Sequence, residues 1–162
     1  MQGQREEAMK VLEQVVLSDS MRGMSEYLVG ERAYFKGDYL QAITAFKIVK
    51  EKDIGDEGLF FIQEDGLIAA HLAFAYQQVG DMQSANFLLN EFEQFLESRD
   101  SKKFNSPDYY FQMAMIKSLQ NKPSEVYSFM QGAIDLGWLQ TWRAEYEPIF
   151  AGLANELQFA QM

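Results

Sequence analysis

One spacing recurs along the 162-residue chain and leaves few folds open to it. A turn residue is followed five positions on by a small or β-branched residue. A large apolar residue comes four further on, and another apolar residue three beyond that. The turn residues are Gly3, Gly37, Gly80 and Asn121, and the pairs that follow are Ala8/Leu12, Ala42/Phe46, Ala85/Leu89 and Val126/Met130. Val15, Val49, Phe92 and Ala133 complete the pattern. Successive turns lie 34, 43 and 41 residues apart. Self-similarity on this scale marks stacked supersecondary units, each too small to bury its own apolar face.

The units are helical by period. Ala42, Ile43, Phe46 and Val49 fall on one face of a helix, as do Ala85, Leu88, Leu89 and Phe92. Caps agree: Asp38 and Asp81 directly follow turn glycines, Ser106-Pro107 opens a helix, and Asn121 stands two residues before Pro123. Upstream of Gly37, Gly80 and Asn121 sits an apolar–small pair, Val29-Gly30, Leu72-Ala73 and Met113-Ala114 in turn, which lets one helix approach its neighbour closely. No segment alternates with period two long enough for a strand. The chain therefore reads as all-α.

The arrangement resembles the tetratricopeptide repeat family, whose pattern is W-x2-L-G-x2-Y, then A-x3-F, then P, on a 34-residue period. Leu72-Ala73-x2-Tyr76 with Gly80 and Ala85 matches best. Val29-Gly30 with Gly37, Asp38, Tyr39, Ala42 and Phe46 follows. The third copy, Tyr110-x2-Met113-Ala114 with Val126 and Met130, carries Lys117 where tyrosine is expected, and Ile54 stands where the first full copy would close on proline. The resemblance implies a right-handed superhelical array of antiparallel helix pairs, an α-solenoid. Its half repeat is 1–20, its full repeats are 21–54, 64–100 and 106–137, and capping helices follow over 138–162. The two longer spacings exceed 34 by 9 and 7 residues. The acidic stretch from Glu51 to Asp65 contains Leu59-Phe60-Phe61-Ile62, which favours a helix extension that tucks these residues against a neighbour over a solvated loop.

Gly3 occupies the turn within a repeat, so the helix from about Glu6 to Ser18 lacks its partner, and a fragment of a longer protein is expected. Trp138, Trp142, Glu147-Pro148, Phe150, Leu153 and Phe159 resemble the short helical cap after the last repeat in bacterial multidomain regulators. The plainer reading is that the aromatics seal the last apolar face. The expected setting is the cytoplasm, with the periplasmic side of a membrane-anchored parent as the alternative.

Fourteen basic residues against 24 acidic ones give a net charge of −10, which argues against a phosphate-backbone binder. No run is long and apolar enough to cross a bilayer, and Met1 to Glu7 lacks the features of a signal peptide. There is no cysteine, and His71 is the only histidine. A lone helical histidine is more often packed than catalytic. The carboxylate pairs Glu6/Glu7, Asp56/Glu57, Glu64/Asp65 and Glu145/Glu147 do not share helix faces. No phosphate loop, dinucleotide fingerprint or hydrolase motif is present. Neither catalysis nor a cofactor or metal is expected.

A second stripe remains on each first helix: Met24, Tyr27, Glu31, Tyr34; then Leu67, Ala70, Phe74, Gln77; then Asp108, Phe111, Met115, Ser118. In tetratricopeptide proteins this face lines the concave groove that takes extended peptides or helices. The resemblance thus makes Tyr27, Glu31, Tyr34, Phe74, Gln77, Phe111 and Met115 candidate partner-binding residues, with packing inside a tight superhelix as the competing reading. The aromatic stripe and acidic surface suit a protein or peptide with apolar anchors and basic flanks. The lysines and asparagines that clamp a C-terminal carboxylate in one subfamily are absent, and Glu31 should repel such a ligand. The alternative role is structural self-association, a homodimer through the uncovered N-terminal helix.

Overall fold

Residues in left-handed backbone conformation close four of the helices. Gly37 (φ 81°), Gly80 (φ 83°), Gly137 (φ 87°) and Asn121 (φ 58°) each end one, and glycine or asparagine tolerates that conformation best. At each, two backbone bonds satisfy the last carbonyls. The Gly37 N–H donates to the Tyr34 carbonyl and the Asp38 N–H to that of Ala33. The same pair recurs at Gly80/Asp81, Asn121/Lys122 and Gly137/Trp138. After Gly37, Gly80 and Asn121 the next residue stands directly before the following helix. Asp38 accepts from the Gln41 N–H at 3.2 Å, and Asp81 from that of Ser84 at 3.0 Å. Ser106 caps its helix through the Tyr109 N–H, with Pro107 at the first helical position.

The computed structural model describes residues 22–53, 66–98, 106–138 and 140–153, all of them in helices and the turns between them. In chain order these are α1 (Arg22–Lys36), α2 (Tyr39–Asp53), α3 (Gly66–Gln78), α4 (Met82–Ser98), α5 (Pro107–Leu119), α6 (Pro123–Asp135) and α7 (Thr141–Tyr146), then a 3₁₀ turn, Pro148–Phe150. No strand occurs among the described residues. The expected half repeat over 1–20 and the Leu59–Ile62 extension lie outside them.

Each helix packs most intimately on the one that its tight turn delivers: α1 on α2, α3 on α4, α5 on α6. Helices α2 and α3, α4 and α5, and α3 and α5 also touch. The recurring positions supply the core. Ala42, Phe46, Val49, Ala85, Leu89, Phe92, Val126, Met130 and Ala133 are all buried. Gly30 shows why the small residue matters, because a Cβ built there would lie 2.4 Å from the Phe46 ring. At Gly132 it would lie 2.5 Å from the Tyr110 ring.

Lys117 departs from the expected tyrosine for a local reason. Its ammonium is nearly buried and bonds Glu93 of α4, with Glu125 of α6 at 3.3 Å. Gln120 adds a bond to Glu93 at 2.6 Å. Burial alone would lower the Lys117 pKa, but the two carboxylates outweigh it and raise it. An ion-paired lysine thus ties the third helix pair to the second, where an aromatic residue would do so by packing.

Candidate functional site

Three of the stripe residues, Glu31, Tyr34 and Phe111, are brought together around one later segment. The chain turns at Gly137, forms α7, and lays Glu147–Phe150 against α1, α3 and α5. The C-terminal segment therefore does more than close the last apolar face: it reaches back to the first described helix pair.

Three contacts hold it. The first is polar and buried. Tyr34 of α1 donates its hydroxyl proton to Glu147 Oε1. His71 of α3, with no solvent exposure, places Nε2 3.1 Å from Glu147 Oε2 and Nδ1 2.6 Å from Glu31 Oε1 of α1. The Ile149 N–H also approaches Glu147 Oε1, at 3.4 Å. The second contact is to the backbone: the Ser118 hydroxyl donates to the Ile149 carbonyl at 2.8 Å. The third is aromatic. Phe150, 1% exposed, packs edge-on against Phe111 of α5 at 5.9 Å between ring centroids, and Trp138 stacks on Phe111 at 4.4 Å. The Arg143 guanidinium lies 5.9 Å from the Phe111 ring centroid.

The protonation state follows from the neighbours. Both imidazole nitrogens face carboxylate oxygens, which only accept, so the ring carries both protons and donates twice. Burial pushes the His71 pKa down, yet the charges of Glu31 and Glu147 outweigh burial and raise it to about 10. For Glu147, burial works to raise the pKa, and His71, Tyr34 and the Ile149 N–H lower it on balance. Burial first and the Glu147 charge second push the Tyr34 hydroxyl well above its ordinary value. The Tyr34 ring lies flat on the imidazolium, 4.1 Å between centroids and 17° between planes.

This chemistry is that of a fixed charge. Neither ring nitrogen is free to shuttle a proton. The two carboxylates sit on opposite ring nitrogens and do not converge on a common point. Among the described residues no group of three histidine, cysteine, aspartate or glutamate side chains could hold a metal ion. No described helix is long and apolar enough to cross a membrane.

Of the sequence candidates, Glu31, Tyr34, Phe111 and Met115 are buried, and Tyr27, Phe74 and Gln77 are half-buried. Glu31, Tyr34 and Phe111 meet the C-terminal segment or the histidine that binds it, whereas Met115 belongs to the core. Phe74 packs edge-on against Tyr34 at 5.6 Å and Tyr39 at 5.7 Å. Gln77 donates to the Leu119 carbonyl at 2.9 Å, capping the end of α5. Tyr27 lines the core margin. The expectation that Glu31 repels a C-terminal carboxylate concerns a partner, whereas within the chain Glu31 pairs with His71. Glu31 is turned onto His71, the charged imidazole beside it takes a carboxylate, and the face holds an acid. His71 and Glu147 were missing from the candidates. A histidine inside an apolar helix signals a need for buried partners, and an acid before proline in an aromatic segment was the available counterpart. The chain matches no family model, no curated protein and no solved structure.

Proposed function

We propose that the chain is an interaction module of tetratricopeptide type, a right-handed array of helix pairs whose inner face grips short polypeptide segments, and that it serves a larger regulatory or signalling protein. The observation that carries this reading is the seat of Glu147–Phe150. Side chains from three different helices hold one short segment by a carboxylate, a backbone carbonyl and an aromatic ring. A contact to a backbone carbonyl as well as to side chains lets such a face read both the shape and the sequence of a short segment. The half-buried Tyr27, Phe74 and Gln77 extend the same stripe.

The test is a random-peptide display library selected on the full chain, with binders located by hydrogen exchange. Protection confined to α1, α3 and α5, and weakened by Tyr27→Ala or Phe74→Ala in folded protein, is the expected result. Binders that protect other surfaces, or binding indifferent to both substitutions, would remove the reading.

A further inference from the structure

Resting on that reading, we propose that the inner face recognises partner segments of one chemistry, an acidic residue followed by proline, an aliphatic residue and an aromatic one, and that Glu147–Phe150 is the resident occupant such a partner displaces. The seat defines each requirement. His71 Nε2 and the Tyr34 hydroxyl both donate toward the same carboxylate, one to each oxygen. Glu31 accepts from Nδ1 on the far side and helps keep the ring doubly protonated, so that Nε2 also donates. A neutral amide at this point would offer one acceptor oxygen where two donors wait, and would leave the imidazolium with one charge partner in place of two.

The following positions are defined by shape and backbone. Pro148 cannot donate a backbone N–H, and it opens the 3₁₀ turn that brings the Ile149 N–H back to the acid. The Ser118 hydroxyl takes the Ile149 carbonyl, a contact indifferent to side-chain identity. Phe150 fills the slot beside Phe111, whose other neighbours are Trp138 and Arg143. The whole chain carries a net charge of −10, so basic residues flanking the motif favour approach. Occupant and competitor share one seat, so affinity for a partner is reduced by the fraction of time the resident segment is in place.

The experiment measures fluorescence anisotropy of a labelled synthetic peptide carrying Glu-Pro-Ile-Phe between lysines. It compares the wild-type chain with Phe150→Ala, in which the resident segment loses its aromatic anchor. The expected result is binding at least roughly tenfold tighter to Phe150→Ala, and a Gln-Pro-Ile-Phe peptide weaker by at least roughly tenfold. A second arm uses wild-type protein, so that it does not depend on the variant folding. Excess Glu peptide should speed hydrogen exchange in residues 141–150 while α1, α3 and α5 stay protected. Equal binding of the Glu and Gln peptides, or unchanged exchange at saturating peptide, overturns the inference. So does a Phe150→Ala chain that dimerises by light scattering without binding peptide, since the seat would then take a second copy. If library-selected peptides still bind the inner face while this motif does not, the interaction-module reading stands and the motif alone falls.

Discussion

At the scale of single residues, a buried His71 held between two carboxylates links α1, α3 and the segment after α7. The folded His71 pKa, about 10, lies above the ordinary 6.5, so folding takes up a proton between those values. The stabilisation is full below 6.5 and is lost progressively as pH rises through about 10. The Glu147 pKa is lowered from 4.5, so its contribution is present above 4.5 and is lost as pH falls through the lower folded value. Thermal melts across pH should therefore show a maximum between about pH 5 and 6.5, and His71→Gln should flatten the alkaline limb. A wild-type limb as shallow as the variant's would show that His71 is not held charged. Glu147→Gln leaves the imidazolium short of a partner and should cost about 3 kcal/mol, read by urea unfolding. This network was only half legible in sequence. His71 stood out as a polar residue in an apolar helix, but its partners lie 40 and 76 positions away. No local period links residues so far apart. Glu31 taken alone does not reveal its role within the chain, because its partner is the His71 imidazole 40 positions away.

At the scale of helices and turns, the sequence was far more informative, because the determinants are local. Gly37, Gly80 and Asn121 adopt the left-handed conformation their residue types favour, and Asp38 and Asp81 cap the helices that follow. The small residue seven positions before each turn was legible as a close approach, and Gly30 against Phe46 gives it a measurable form. Alanine ordinarily gains about 1 kcal/mol over glycine in a helix. At Gly30 the added methyl would meet the Phe46 ring at 2.4 Å. Gly30→Ala should therefore destabilise by about 1–2 kcal/mol in chemical denaturation. Phe46→Leu added to Gly30→Ala should cost less than the sum of the two changes, because the smaller side chain vacates the clash. Strict additivity would mean that α1 and α2 are further apart than described. Lys117 was legible only as a departure from the pattern. That it replaces packing with an ion pair to α4 and α6 required the tertiary arrangement.

At the scale of the whole molecule, the decisive feature is a segment that folds back onto α1, α3 and α5. The aromatic content of residues 138–150 announced burial, and Trp138, Ile149 and Phe150 are buried. The destination was not legible, since Tyr34 and Glu147 are 113 positions apart and nothing periodic relates them. Phe150→Ala should open this segment preferentially. Amide exchange in residues 141–150 should rise well before that of the α1–α2 and α3–α4 cores, whose contacts the substitution leaves intact. Uniform acceleration along the chain would mean that the segment and the helix pairs unfold as one unit. The most direct measurement is an NMR titration of the imidazole in protein labelled at histidine, unambiguous because His71 is the sole histidine. If Glu147 lies beside it, the ring signal stays at its protonated position through neutral pH and moves only toward pH 10, and Glu147→Gln brings that midpoint down. A midpoint near the ordinary 6.5 in the wild-type chain, unaffected by Glu147→Gln, would contradict the account.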